Sequence, residues 1–329
     1  MLVTTWLNWA LTLSLGLVGV VSGKASLQPT PIVVWHGMGD SAFSNDTMLA
    51  FQDYLQQLIP GVFVHLVTLG TNSNEDVRAS FMGNVPDQVK TVCKQLKAIP
   101  ALDQGFHGLG FSQGGLFLRA YVQLCNQPPM HNLVTLGSPH GGVGAPPSCP
   151  PKNWFCQRLF NQLKDRAYSW YFRDHVVQAQ YFKDPTRLED YRQHNVFLPN
   201  INNELSSKSS LYKERLTSLH RWVMVRYQND TMIHPRDSSW FSSIEPTGPV
   251  SLWKSVQYQE DWLGLRTLDE RDALVMMTFP GQHLEHNDVL FEKEVLPFLS
   301  DPVPTSSLYS SSPAYPWINA VWSLIRLVL

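Results

Sequence analysis

Short apolar runs rich in β-branched residues recur along the chain: Pro31–Trp35, Val62–Leu69, Phe106–Phe111, Leu133–Leu136, Trp222–Tyr227 and Leu274–Phe279. Their length and composition predict strands. Segments of helical length lie between most of them, among them Thr47–Leu58 and Asp87–Leu96. Strands alternating with helices predict an α/β fold, a mostly parallel central sheet flanked by helices on both faces.

The alternation breaks once. From about 140 to 220 no run reads as a strand. Proline-rich GGVGAPPSCPPKNW gives way to amphipathic stretches carrying Trp154, Phe155, Phe160, Tyr168, Trp170, Tyr171, Phe172, Tyr181 and Phe182. This predicts a helical insertion over the sheet, whose aromatics form its own core or face a substrate. At the N-terminus, an apolar run from Ala10 to Val21 ends in Ser22-Gly23, the pattern of a cleaved secretory leader, although the usual basic residues are missing. At the other end, a Ser/Pro linker leads to an apolar segment after Pro316 that is short for a bilayer and carries Arg326. It reads as a docking or interfacial helix, able to touch a membrane surface. The expected organisation is therefore a leader at 1–24, an α/β domain at 25–300 with an insertion at about 140–220, and a linker and tail at 301–329.

Composition narrows the classes. The 329 residues are 43% apolar and 16% charged, which is globular, and the formal charge of −2 comes without a long basic block. Nucleic acid needs a basic footprint and is excluded as a partner on that ground. Export agrees with two N-glycosylation acceptors, at Asn45 and Asn229. In an oxidising compartment the four cysteines become disulfide candidates, with three pairings open. Cys149 and Cys156 enclose only PPKNWF, a comfortable local loop, which leaves Cys93 with Cys125. Zinc is a poor alternative, because no C-x-x-C pair occurs and the histidines are scattered. No metal and no cofactor is expected.

Gly110-Phe111-Ser112-Gln113-Gly114 fits G-x-S-x-G between an expected strand and an expected helix, the setting of a nucleophile elbow. A serine needs a base, and the base an acid to orient it. In α/β-hydrolases these follow in the order Ser, Asp or Glu, His. Asp230 ends the run RWVMVRYQND and is preferred over Asp237, seven residues on; its competing reading is a turn-former in a glycosylation triplet. His283, directly after a Pro-Gly turn, is preferred over His286, which sits with Asn287 and Asp288 at a helix start. The oxyanion donors are expected from the backbone N–H groups of Met38 and Gln113, since Trp35-His36-Gly37-Met38-Gly39 is similar to the H-G-rich loop of lipases and esterases. His36 is expected to brace that loop.

WHGMGDS, TVCKQL, GFSQGGLFLRAY, the NDT after VMVRYQ and the GQHL before the last helix together resemble the lysosomal palmitoyl-protein thioesterase family, from about Pro31 to Leu299. The resemblance implies an α/β-hydrolase with Ser112, Asp230 and His283 as triad and Met38 and Gln113 as oxyanion donors. It also implies the Cys93–Cys125 and Cys149–Cys156 bridges. S-palmitoylated proteins or peptides would be the substrates, the fatty acyl chain the bound group, and the lysosome or vacuole, or the outside of the cell, the destination. Ser41-Ala42 stand where familiar members carry adjacent cysteines, so a third bridge is absent. An oxygen-ester lipase, a phospholipase or an acyl-CoA thioesterase would use the same triad. A non-catalytic binder of acylated partners would need a degraded one.

Overall fold

The computed structural model describes residues 28–145 and 154–300. The leader, Cys149 with its expected bridge to Cys156, and the tail at 301–329 lie outside the described residues.

Six parallel strands form the central sheet in the order β2-β1-β3-β4-β5-β8. They are β1 (Ile32–Trp35), β2 (Val64–Leu66), β3 (Phe106–Phe111), β4 (Met130–Leu136), β5 (Arg221–Tyr227) and β8 (Leu274–Phe279). A separate antiparallel hairpin joins β6 (Ser243–Glu245) to β7 (Gly248–Val250). Central strands are apolar on both sides, and their alternation feeds two cores. Val33, Trp35, Leu133, Trp222 and Met224 pack into one, while Ile32, Val34, Val134, Val223 and Val225 pack into the other.

The helices divide accordingly. α1 (Ala50–Leu58) buries Phe51, Tyr54 and Leu55 against the second core, where Phe291, Val295 and Leu299 from the C-terminal helical turns join it. α2 (Ser73–Phe81) leads into α3 (Val85–Lys97), which buries Val85, Val89, Val92 and Leu96 on one stripe. The Asn84 side chain caps α3 by accepting from Asp87 N–H, Pro86 fits the first turn, and Lys94 and Lys97 complement its C-terminal dipole. α4 (Gln113–Leu124) is buried all round and belongs to the first core. The Cys93–Cys125 disulfide ties α3 to the end of α4.

Between β4 and β5 lie α5 (Trp154–Arg166), α6 (Trp170–His175), α7 (Leu188–His194), α8 (Leu198–Ile201) and α9 (Ser210–Thr217), with no strand among the described residues of that stretch. They dock on α4: Arg119 donates to Asn202 Oδ1 at 2.8 Å, and Gln123 Nε2 donates to the Ile201 carbonyl. The aromatics there serve two ends. Tyr168, Tyr181, Phe182, Tyr191 and Phe197 are buried, whereas Trp170 and Tyr171 face solvent.

Candidate active site

Ser112 stands between β3 and α4 with φ 50° and ψ −123°, a left-handed conformation that side chains avoid. Close packing forces it. A Cβ on Gly114 would lie 2.2 Å from the Trp35 carbonyl oxygen, and one on Gly110 would lie 2.2 Å from Gly115 Cα. Only glycines let the new helix turn back so tightly on the sheet. The Ser112 N–H donates to the Leu136 carbonyl at 2.8 Å, pinning the bend to the next strand.

His283 follows β8 and reaches back over the sheet edge. Its Nδ1–H donates to Asp230 Oδ2 at 2.7 Å, and its Nε2 lies 3.0 Å from Ser112 Oγ. A carboxylate only accepts, so Nδ1 carries the proton of the neutral ring and Nε2 is free to accept from the serine hydroxyl. Asp230 lies in the turn after β5, and its other oxygen accepts from the N–H groups of Met232 and Ile233 at 2.8 and 3.0 Å. Burial would raise the pKa of this carboxyl; His283 and the two amides outweigh it and hold the group below the usual carboxylate range. Gly137, with φ +59°, makes room for the imidazole: a Cβ there would lie 3.0 Å from His283 Cε1. The Tyr227 ring packs against the same imidazole, 6.4 Å between centroids.

The competing acid and base stand elsewhere. Asp237 pairs with Arg226, and His286 pairs with Asp288 beside the Tyr54 ring.

Met38 lies in the loop after β1, which passes against the nucleophile: a Cβ on Gly37 would sit 3.4 Å from Ser112 Cβ. Gln113 opens α4, so its amide N–H is one of those a helix leaves without an internal partner. His36 is buried beneath this loop, with Nδ1 donating to the Gly37 carbonyl at 2.9 Å and Nε2 3.2 Å from Asp76 Oδ2. Burial lowers the imidazole pKa, but the Asp76 carboxylate more than reverses this and the net shift is upward. Asp76 also accepts from Ser41 Oγ and from the N–H groups of Ala42 and Leu69, at 3.0, 2.8 and 2.7 Å.

A second network lay beyond sequence reasoning. Ser80 Oγ accepts from Gly39 N–H at 2.8 Å, and the Ser80 carbonyl accepts from Gln113 Nε2 at 3.0 Å and Gln178 Nε2 at 2.9 Å. Tyr181 Oη donates to Gln113 Oε1 at 2.9 Å, and Gln178 donates to the same oxygen at 3.2 Å. One α2 residue and two insertion residues thus clamp both chain segments expected to supply oxyanion donors. His140 is also enclosed, stacked on Phe241 with centroids 5.0 Å apart; burial, then the nearby Arg119, pushes its pKa well below the ordinary value and keeps it neutral. A small cavity lined by Phe111, Leu136, Tyr227 and Leu284 lies behind the His283 loop, within the core opposite the insertion.

Asn45 and Asn229 are both exposed. Their partners differ: Thr47 is buried and donates to Asp40 Oδ1 at 2.5 Å, whereas Thr231 is exposed. Among the described residues, no group of three or more His, Cys, Asp or Glu side chains is placed to hold a metal ion.

A parallel sheet, a serine lifted on a strand-to-helix turn, and an aspartate and a histidine after later strands in that order define an α/β-hydrolase. The chain belongs to the palmitoyl protein thioesterase family, whose model matches residues 31–283. It is 36% identical over 267 residues to palmitoyl-protein thioesterase 1 of Caenorhabditis elegans, an alignment covering 80% of this chain and 89% of that one. It is 34% identical to palmitoyl-protein thioesterase 3 of Dictyostelium discoideum, over 78% of this chain and 86% of the relative. Human lysosomal thioesterase PPT2 is 26% identical over 82% of this chain and 88% of its own. The solved structure of ferulic acid bound to Est1E from Butyrivibrio proteoclasticus covers 82% of this chain and 88% of that one at 14% identity and a TM-score of 0.40, too distant a likeness to carry an inference.

Proposed function

We propose that this chain hydrolyses fatty acyl thioesters, releasing palmitate from S-acylated cysteines of proteins or peptides. The supporting observation is the relay from Ser112 Oγ through His283 to Asp230, with contacts of 3.0 and 2.7 Å, in a member of this family.

In the first half-reaction His283 Nε2 takes the Ser112 proton as Oγ attacks the thioester carbonyl. The Met38 and Gln113 amides hold the oxyanion. Asp230, kept ionised by its surroundings, stabilises the imidazolium and fixes its tautomer. Collapse expels the cysteine sulfur, a far better leaving group than an alkoxide because its thiol has a pKa of about 8.5, and the sulfur takes the proton from the His283 imidazolium, which restores the base. Water activated by His283 then attacks the acyl-serine and frees the fatty acid. Each methylene buried along the acyl chain adds about 0.8 kcal/mol to binding, and the insertion is proposed to help wall that groove.

The relative named for the lysosome supports delivery through the secretory pathway to an acidic compartment, in keeping with the leader, the acceptor asparagines and the Cys93–Cys125 bridge. Among the described residues no helix is long and apolar enough to cross a membrane.

The test is hydrolysis of a palmitoyl-cysteine peptide by the parent and Ser112→Ala. A loss of roughly 10³-fold or more in kcat is expected, and retained turnover would reject the mechanism. Comparing kcat/KM on matched thioester and oxygen-ester substrates tests the substrate class, and an ester preference would move the assignment to a lipase or esterase.

A further inference from the structure

α6 carries two large aromatic side chains that the described residues leave largely uncovered. Trp170 is 71% exposed and Tyr171 44% exposed, although the insertion buries most of its other aromatics. Their rings contact each other at 5.7 Å, and Tyr171 stacks on the exposed His175 at 4.7 Å, so the three form one preformed surface. Tryptophan and tyrosine are the side chains that settle at a lipid–water boundary, with an apolar body and a polar edge.

The charge along α5 and α6 has the complementary sign for an anionic lipid surface. Residues 154–175 contain Arg158, Lys164, Arg166 and Arg173 against Asp165 and Asp174, a basic excess in a chain whose formal charge is −2. Arg158, Lys164 and Arg166 are exposed. Basic side chains beside interfacial aromatics give the attraction that draws a protein to an anionic leaflet.

The patch is also linked to the active site through the chain that follows it. The carbonyl of His175, the last residue of α6, accepts from Gly83 N–H at 2.8 Å, and Val176 pairs with Met82. Two residues further on, Gln178 reaches Ser80 and the side chain of Gln113, the neighbour of Ser112. One short path of hydrogen bonds therefore joins the element carrying the exposed aromatics to the neighbour of the nucleophile.

We propose that Trp170 and Tyr171, with the basic residues of α5 and α6, dock the enzyme on an anionic bilayer so that an acyl chain leaving the membrane enters the site directly. This rests on the acyl-thioesterase reading for its purpose, though not for its measurement. Docking of this kind makes the membrane, not a specific protein, the surface first recognised, and it predicts that salt weakens the encounter.

The experiment uses the full chain carrying Ser112→Ala, so that binding is read without turnover, and co-sedimentation with phosphatidylcholine vesicles or vesicles of equal phosphatidylcholine and phosphatidylserine. The parent is expected to bind the anionic vesicles, and less so in high salt. Trp170→Ala/Tyr171→Ala is expected to bind about tenfold more weakly, Lys164→Glu/Arg166→Glu to lose affinity similarly, and Trp253→Ala, an exposed aromatic elsewhere, to match the parent. All share the C-terminal tail, whose own affinity cancels in the comparison. With Ser112 restored, the aromatic double variant should keep its kcat/KM on a water-soluble short-chain thioester and lose it on a vesicle-anchored palmitoyl peptide. Equal vesicle binding by parent and double variant overturns the proposal, as does a defect confined to a free acylated peptide, which would make the patch a protein-docking surface. Failure of the soluble thioester assay in the parent would instead strike the acyl-thioesterase reading and leave the docking result standing.

Discussion

Ser80 shows how much of a candidate site can rest on a residue with no motif. Its hydroxyl holds Gly39 beside Met38, its carbonyl holds Gln113, and Tyr181 holds Gln113 from the other side. In the proposed mechanism these contacts fix the amides that meet the oxyanion, so their loss should appear in kcat and leave KM little changed. Ser80→Ala and Tyr181→Phe are each expected to lower kcat roughly tenfold at a stability cost of about 1 kcal/mol, with thermal unfolding run beside steady-state kinetics. A rise in KM at constant kcat would show that the network shapes the substrate groove instead. Ser112, Asp230 and His283 could be picked out beforehand because a strained turn, chain order and strand ends constrain them. Ser80, Gln178 and Tyr181 could not, since an ordinary serine, glutamine and tyrosine become informative only when folding brings them to Gln113 across 33, 65 and 68 positions.

At the level of elements, the approach of α4 to the sheet is the tightest constraint. A methyl on Gly114 would meet the backbone oxygens of Trp35 and His36 at 2.2 and 2.4 Å, and backbone cannot swing aside as a side chain can. Gly114→Ala should therefore destabilise by about 1–3 kcal/mol or more and displace Ser112, so that reactivity toward a serine-directed phosphonate falls further than stability does. An alanine variant with parental labelling would mean that the turn relaxes. The Cys93–Cys125 bridge closes 32 positions between α3 and the end of α4. Removing it with Cys93→Ser/Cys125→Ser should cost about 3 kcal/mol, read as a lower denaturant midpoint. The buried strands were legible as apolar runs because both faces are covered. The extent of one strand and the existence of a hairpin were not. The run Val62–Leu69 pairs only over Val64–Leu66, because β2 is an edge strand among the described residues and its neighbour, β1, is itself four residues long. The β6–β7 hairpin contains Pro249, a residue that normally argues against a strand, and its register depends on a partner three residues away rather than on hydrophobic alternation.

Across the whole molecule, the His36–Asp76 pair links the β1 loop to α2 and makes stability depend on pH in a defined direction. Both side chains are buried, at 3% and 0% exposure, so solvent screens them little. The His36 pKa is raised: its contribution is complete below the ordinary imidazole value and is lost as pH rises through the folded-state value. The Asp76 pKa is lowered against the effect of burial, chiefly by His36; its contribution holds above the ordinary carboxylate value and is lost as pH falls through the folded-state one. The pair is thus strongest between about pH 4 and 6.5, the range of an acidic compartment. His140, buried and neutral, pulls the other way, since unfolding lets it take up a proton in acid. That opposing effect is common to the parent and to His36→Gln and cancels in their difference. The gap in unfolding free energy between the two, measured by denaturant titration from about pH 4.5 to 8.5, should be widest at the acidic end and shrink as His36 deprotonates. A gap that stays constant or widens with rising pH would show that His36 supports the loop through shape and neutral hydrogen bonding, with no charge on the ring.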